Sequence, residues 1–145
     1  MTGKLIAIAR VAELRAPLEE MQSASVTIDA GIEGDVRGRK RNRQVTVLFC
    51  ESWDEACRAL GVKLPWTTRR ANLLVAGVPP PQAVGGQMRI GDVVLEIMLE
   101  TDPCQLMERA HAGLKAALTP DWRGGVCCNV VTGGTLRVGD TVSLT

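Results

Sequence analysis

Six short apolar segments of similar length recur along the chain, and this recurrence constrains the fold more than any other feature. Each segment is rich in Val, Leu or Ile and is bounded by Gly, Pro, Asn or Asp, a pattern typical of β-strands. The segments cover residues 5–11, 25–28, 45–49, 73–78, 93–99 and 126–131. Because 145 residues suffice for one ordinary hydrophobic core, we expect a single, mainly β domain spanning residues 1–145.

An internal repeat supports a barrel. Residues 85–92 and 133–140 share the pattern Gly-Gly-x-x-Arg-apolar-Gly-Asp, and in each copy a further apolar run follows. A Gly-Asp pair between two apolar runs is typical of a tight strand reversal, so each copy predicts a β-hairpin and the pairs are interpreted as structural. Repeated hairpins in a strand-rich chain favour a closed or nearly closed β-barrel with two or three short helices.

The first of two predicted helices lies between the third and fourth strands. It begins at Ser52, with Glu55 three residues later as in a capping box, and ends at Gly61.

The second predicted helix carries the strongest candidate for chemistry. It begins at Asp102, places Cys104 in its first turn and continues to Leu118, with Gly113 as a weak point. The backbone N–H groups and the dipole at a helix start favour an anion, so Cys104 is predicted to be a thiolate. Such a thiolate would act as a nucleophile, a persulfide carrier or a soft ligand for a metal such as molybdenum. From spacing alone, a small apolar side chain packed under the barrel is an equal alternative.

The other cysteines and the single histidine are weaker candidates. Cys127 and Cys128 are neighbours in a predicted strand, so one is expected to face the core and the other solvent or a pocket. Cys50 and Cys57 are predicted to lie in or near the core. A helix would place His111 about 10 Å from Cys104, so a Cys-His catalytic pair is not expected.

Composition excludes several classes of protein. The net charge is +1 and aromatic residues make up 3% of the chain, which argues against a general nucleic-acid-binding surface. Zinc-site spacings of Cys and His are absent, so no zinc site is expected. No segment has the length of a membrane span or a signal sequence, and the odd number of cysteines suits reduced thiols. A cytoplasmic protein without membrane association is therefore expected.

A basic run between residues 37 and 43 is the candidate anion site. Arg side chains bind phosphate oxygens in pairs, and the preceding Gly-rich turn allows close approach. A second polar cluster, Arg69, Arg70 and Asn72, precedes the strand at 73–78 and could meet the same anion or cap that strand. The predicted cofactor contacts are Arg37, Arg39, Arg41, Arg43, Arg70 and Asn72. The alternative is a mobile, solvated loop.

Four further segments follow one another along the chain. They are residues 31–35 (Gly-Ile-Glu-Gly-Asp), 69–77 (Arg-Arg-Ala-Asn-Leu-Leu-Val-Ala-Gly), the turn Asp102-Pro103-Cys104, and Arg-Gly-Gly-Val at 123–126 leading into the repeat at 133–140. In this order they resemble the MOSC domain, the module named for the C-terminus of molybdenum-cofactor sulfurase. The resemblance implies a β-barrel of the pyruvate-kinase type that binds a molybdenum cofactor, a phosphorylated pterin. Cys104 matches the family's characteristic cysteine, implied to hold sulfur as a persulfide or to ligate molybdenum.

The resemblance also implies two roles, an oxidoreductase component acting on N-hydroxylated or similar small substrates and a sulfur carrier. The chain has no room for a pyridoxal-phosphate domain, so a separate cysteine desulfurase or electron-transfer protein is the expected partner. Many relatives have a histidine after the Gly-Asp of the first segment, whereas Val36 follows Asp35 here. Two alternatives remain, a barrel that has lost its cofactor and a nucleic-acid-binding barrel that uses the Arg-rich loop.

Overall fold

The computed structural model describes all residues from 1 to 145, which form eleven strands and three short α-helices. The strands are β1 (Thr2–Arg10), β2 (Glu19–Met21), β3 (Ser23–Thr27), β4 (Gly31–Ile32), β5 (Val45–Phe49), β6 (Leu73–Ala76), β7 (Gln87–Ile90), β8 (Val93–Glu100), β9 (Val126–Thr132), β10 (Gly134–Arg137) and β11 (Thr141–Leu144). The helices are α1 (Cys50–Leu60), α2 (Gln105–Ala110) and α3 (Leu114–Leu118), with 3₁₀ turns at Trp66–Arg69 and Pro120–Trp122.

Seven strands close into a barrel in the order β1, β11, β7, β8, β9, β5, β6 and back to β1, which confirms the predicted fold class. β5 and β6 run parallel and are joined through α1, whereas the other pairs in the ring are antiparallel. β2 adds to the edge of β1, and β10, β3 and β4 form a separate three-stranded sheet.

The barrel and the helices have separate hydrophobic clusters. In β5, the alternation of side chains sends Val45, Val47 and Phe49 into a cluster of 21 buried residues inside the barrel. Leu48 points the other way, into a cluster of nine residues beneath the helices. No helix has both the length and the apolar character needed to cross a membrane.

The predicted strands all exist, with β5 at its predicted bounds and the others shifted by a few residues at their ends. The first copy of the repeat is the hairpin of β7 and β8, where Gly91 has a φ of 58°.

The second predicted hairpin is wrong. β10 pairs with β3 in the small sheet, whereas β11 pairs with β1 and β7 in the barrel. The segment between β10 and β11 is bonded to β1 instead, because Gly139 N donates to Leu5 O at 2.8 Å and Leu5 N donates to Asp140 O at 2.9 Å. The second copy of the repeat therefore connects the small sheet to the barrel and does not form a hairpin.

Both predicted helix starts are also wrong. α1 begins at Cys50 without a side-chain cap and contains Ser52 as a buried residue, although it ends at Gly61 as predicted. α2 begins at Gln105 with Cys104 at the N-cap, so Asp102 does not cap it. The helix predicted to reach Leu118 is interrupted, because Gly113 adopts a left-handed conformation with a φ of 87° before α3.

Replacing Gly125 with alanine is expected to lower the free energy of unfolding by about 3 kcal/mol. Its φ is 95°, and an added Cβ would lie 2.2 Å from Val47 O in the adjacent strand. Gly139 is the matched control, because its φ is 98° and an added Cβ would meet nothing within 4 Å. Gly139→Ala should lose about 1 kcal/mol in the same urea titration. Equal losses in the two variants would contradict the close approach at Gly125.

Candidate functional site

A cavity of about 560 Å³ lies over the outer face of β5 and β9, within the size range of small-molecule sites. Its walls come from the β1–β2 loop, the Arg-rich loop, the turn before β6, and the segment that links β8 to α2. The lining residues are Leu14, Val36, Arg37, Lys40, Arg43, Thr46, Val47, Arg69, Arg70, Ala71, Thr101, Asp102, Cys104, Leu106, Gly124 and Cys127.

Four of the predicted site residues lie together in this cavity. Arg37, Arg43, Arg70 and Cys104 line it, although they come from three separate segments. The other three predicted contacts do not line it: Arg39 and Arg41 are exposed elsewhere on the loop, and Asn72 is completely buried.

The cavity is strongly cationic. Five of its lining residues are Arg or Lys, and Asp102 is the only carboxylate among them. A concave surface with one sign of charge attracts ligands of the opposite sign and raises their local concentration. The arrangement therefore suits an anionic ligand, despite the near-neutral net charge of the whole chain.

The Arg-rich loop is ordered as successive turns. Lys40 N donates to Arg37 O at 3.0 Å, and Arg43 N donates to Lys40 O at 2.9 Å. Residues three apart along these turns face the cavity, whereas Arg39 and Arg41 between them do not line it. This turn geometry places Lys40 in the site, although all the predicted cofactor contacts in this loop were arginines.

Side chains from elsewhere fix the same loop. Asn42 N donates to Asn129 Oδ1 at 2.6 Å, and Asn129 Nδ2 donates back to Asn42 Oδ1 at 3.1 Å. Gln44 Nε2 donates to Gly38 O at 3.0 Å. These hydrogen bonds hold the backbone of the loop in place, while the side chains of residues 39–43 are exposed to solvent.

Asp35 anchors the loop beside the cavity. Its side chain is fully buried and accepts hydrogen bonds from Val11 N at 3.0 Å and from Arg37 Nη2 at 3.0 Å. Arg37 Nη1 in turn donates to Arg70 O at 2.6 Å. Arg37 therefore lines the cavity with its charge largely matched, and much of its role is to connect two parts of the wall.

Asn72 completes this buried network. Its Nδ2 donates to Asp35 Oδ2 at 2.8 Å and to Ala9 O at 3.1 Å, and its Oδ1 accepts from Thr46 N at 3.0 Å. Because these bonds use both donors of the amide, Asn72 joins β1, β5 and β6 and has no donor left for a ligand.

Asp35 is expected to make stability depend on acid pH. Burial alone would raise the pKa of Asp35, but the side chain and backbone of Arg37 and the backbone of Val11 outweigh it, so the pKa is lowered. The stabilisation is therefore complete above about pH 4 and is lost as the pH falls through the lowered pKa. The free energy of unfolding of the wild type should exceed that of Asp35→Asn at pH 6, and the difference should shrink towards pH 2. A difference that stays constant would contradict this reading.

Arg70 adopts a left-handed backbone with a φ of 64°, which costs a non-Gly residue about 1–2 kcal/mol. Its Nη2 donates to Ala16 O at 2.7 Å and so holds the β1–β2 loop against the cavity. Strain of this kind persists where the surroundings impose it, often at functional sites.

Arg69 lines the cavity; the sequence placed it in the polar cluster that could meet the same anion, although it was not among the predicted cofactor contacts. Only 8% of it is exposed, and it donates from Nε to Gly124 O at 3.1 Å and from Nη2 to Thr101 O at 2.8 Å. A Cβ on Gly124 would lie 2.4 Å from Thr101 O and 3.0 Å from Arg69 Nη2. The signal in the sequence was the Gly-Gly pair, whose first glycine makes room for this guanidinium.

Cys104 is the only exposed cysteine among five free thiols. It lies at the N-cap of a six-residue helix, and not within the first turn of the long helix predicted from the sequence. Its exposure on the cavity rules out the alternative of a packed core side chain.

The remaining cysteines lie as the sequence predicted. Cys127 lines the cavity and its Sγ is 3.2 Å from the Thr101 hydroxyl, whereas Cys128 lies in the barrel core, where burial raises its pKa. Cys57 is buried beneath the helices and Cys50 is half-buried.

His111 ends α2 as a half-buried residue, with Nδ1 2.9 Å from Ala112 O. It does not line the cavity. The structure gathers no group of three or more His, Cys, Asp or Glu side chains as metal ligands.

Comparisons with known proteins identify the architecture. The family model of the MOSC domain matches residues 33–143 of the chain. A crystal structure of the YuaD protein from Bacillus subtilis superimposes with a TM-score of 0.82 at 19% identity, covering 99% of this chain and 96% of that one. YiiM from Geobacillus stearothermophilus gives a TM-score of 0.70 at 13% identity, covering 99% and 73%. YiiM from Escherichia coli gives 0.69 at 14% identity, covering 98% and 69%. A search of curated proteins gives no significant match.

Proposed function

Because this chain belongs to the MOSC domain family, we propose that it binds a molybdenum cofactor, with Cys104 as a soft ligand for the metal. The observation that carries the proposal is the composition of one cavity. An exposed thiol and five cationic side chains line the same space, against a single carboxylate.

The residues present fit such a cofactor. A phosphorylated pterin needs cationic contacts for its phosphate, and a thiophilic metal needs a thiol within the same pocket. Lys40 and Arg43 supply the cationic side chains for which the structure shows no competing carboxylate, and Arg70 has guanidinium nitrogens beyond the one bonded to Ala16. These three side chains would hold the phosphate, while Cys104 would face the metal.

Three exposed apolar side chains complete the cavity and indicate its substrate side. Leu14, Val36 and Leu106 are 77%, 45% and 43% exposed, and all three line the same cavity. Such side chains would contact the organic part of a small substrate and exclude water from it. When bound, the cofactor would supply redox chemistry at molybdenum, for which an N-hydroxylated compound is the proposed substrate class.

A sulfur carrier is the second candidate function. It is favoured by the exposure of Cys104, since a carrier cysteine has to be reached by its donor and acceptor. In either role the chain would depend on a separate partner, an electron-transfer protein for reduction or a cysteine desulfurase for sulfur delivery. Five unpaired thiols suit a reducing compartment, and we therefore place the protein in the cytoplasm.

Pterin content tests the phosphate site. The protein would be purified from a host that makes the molybdenum cofactor, and bound pterin would be released, oxidised and measured by fluorescence. Lys40→Gln/Arg43→Gln should reduce affinity by about 100-fold or more, because each lost charge-assisted contact contributes about 1.5–3 kcal/mol.

Arg39→Gln/Arg41→Gln is the matched control, because it removes two charges from the same loop outside the cavity. Its pterin content should equal that of the wild type. Equal losses in both double variants would indicate a diffuse charge effect, as for a nucleic-acid-binding loop. No pterin in any of the proteins would favour a barrel that has lost its cofactor.

A further inference from the structure

Arg69 is a buried cation without a carboxylate partner. Its Nε and Nη2 donate to the carbonyl oxygens of Gly124 and Thr101, and none of the ion pairs involves it. Its Nη1 has no hydrogen-bond partner in the protein, yet no fully buried side-chain nitrogen is left unpaired. Nη1 therefore keeps some exposure, and the residue lines the cavity. Because an unpaired buried charge is costly, this guanidinium marks a position for an anion.

Two thiols lie within electrostatic reach of this guanidinium. Burial lowers the pKa of Arg69, and the charges of Cys104, Cys127 and Asp102 oppose that shift. Cys127 is 1% exposed and its Sγ contacts the Thr101 hydroxyl, whereas Cys104 is open to incoming molecules. An anion held by Arg69 would therefore meet the thiol of Cys104 first.

We propose that the cavity accepts a small anionic donor of the thiosulfate type, which joins a sulfonate group to a sulfane sulfur, and that Cys104 takes the sulfane sulfur. Arg69 binds the sulfonate oxygens. The inference rests on the sulfur-carrier half of the proposed function and needs neither molybdenum nor pterin.

The transfer balances without a further oxidant or reductant. The Cys104 thiol gives its proton to water, and the thiolate attacks the outer sulfur of thiosulfate. The new S–S bond forms at Cys104 while the S–S bond of thiosulfate breaks, and sulfite leaves with the bonding electron pair. Cys104 then carries a persulfide, which can pass its outer sulfur to a nucleophile such as cyanide and release thiocyanate.

The charges of the cavity favour an anionic donor over a neutral one. Lys40, Arg43 and Arg70 line the same cavity as Arg69, and Asp102 is the only lining carboxylate. The charge of Arg37 is already matched by Asp35, so it adds less to this attraction. As sulfite departs, charge moves onto its oxygens, where the guanidinium of Arg69 stabilises it.

Sulfite release from thiosulfate tests the proposal on the full-length protein. The wild type should release about one sulfite per chain in a single turnover, as expected for one nucleophile. Mass spectrometry should find one added sulfur atom on the Cys104 peptide, and Cys104→Ser should show neither. Arg69→Gln should slow the reaction by about 10- to 100-fold, the value of one charge-assisted contact. Arg109→Gln removes an exposed charge from α2 outside the cavity and should react like the wild type.

Two alkylating probes separate donor recognition from thiol reactivity. Iodoacetate is anionic and iodoacetamide is its neutral counterpart, so their rate ratio at Cys104 reports the anion site. Arg69→Gln should lower that ratio, and Arg69→Lys should restore part of it. If Arg69→Gln does not fold, the Arg69→Lys variant reports on the side chain, and competition by sulfate against thiosulfate in the wild type reports on the anion site as a whole.

The outcomes divide clearly. A wild type that reacts with iodoacetamide at Cys104 but releases no sulfite would overturn the inference, and persulfide loading by a cysteine desulfurase would show that the carrier function itself survives. A rate ratio unchanged in Arg69→Gln would also overturn the role of Arg69.

Discussion

Replacing Asp35 with alanine should lower the free energy of unfolding by about 3–5 kcal/mol, the range for removing one partner of a buried ion pair. The Asp35 side chain has no solvent exposure and that of Arg37 has 24%. The substitution would leave the Arg37 guanidinium without its carboxylate, and would leave Val11 N and one of the two N–H groups of Asn72 Nδ2 without an acceptor. Urea unfolding at pH 7, where the carboxylate is charged in the native state, measures the effect.

A double-mutant cycle identifies the source of that loss. Asp35→Ala/Arg37→Met removes both charges, so the double variant should be less destabilised than the sum of the single variants. The expected coupling is about 1–3 kcal/mol. Additive losses would contradict the view that these two residues act as a unit.

Replacing Cys104 with alanine should remove the bound cofactor while the fold is retained. The thiol is exposed and belongs to neither hydrophobic cluster, so the free energy of unfolding should change by less than about 0.5 kcal/mol. The metal would lose the only accessible soft ligand of the cavity, since Cys127 is 1% exposed. Urea unfolding and metal content would be measured on the same preparations.

Cys50→Ala provides the comparison for this variant. Cys50 is a half-buried thiol on α1 that does not line the cavity. Its substitution should leave the cofactor in place. Loss of cofactor from both variants would indicate that general thiol content, and not the position of Cys104, decides binding.

The barrel was predictable because its strands have strong local signals. In β5, Val45, Val47 and Phe49 alternate with outward-facing side chains, and short runs of β-branched or aromatic residues between turn signals are typical of strands. The second hairpin was not predictable from the same kind of signal. Its local pattern matched that of the first copy. The hydrogen bonds that Gly139 and Asp140 form with Leu5, which is distant in sequence, accompany a different pairing of β10 and β11.

The site was only partly predictable for a related reason. Cys104 and the Arg-rich run stand out because few residue types have their chemistry. Whether a polar residue binds a ligand or the protein itself depends on tertiary contacts, as Asn72 shows by using both amide donors within the fold. Lys40 and Arg69 reach the cavity through turn geometry and through the space beside Gly124, which residue type alone does not reveal.

The most direct test of the central claim is the molybdenum and pterin content of protein purified from a host that makes the molybdenum cofactor. The wild type should contain both in equal amounts near one per chain, and Cys104→Ala should retain less than about a tenth of the metal. Molybdenum absent from the wild type, or equally abundant in Cys104→Ala, would contradict the assignment of Cys104 as its ligand.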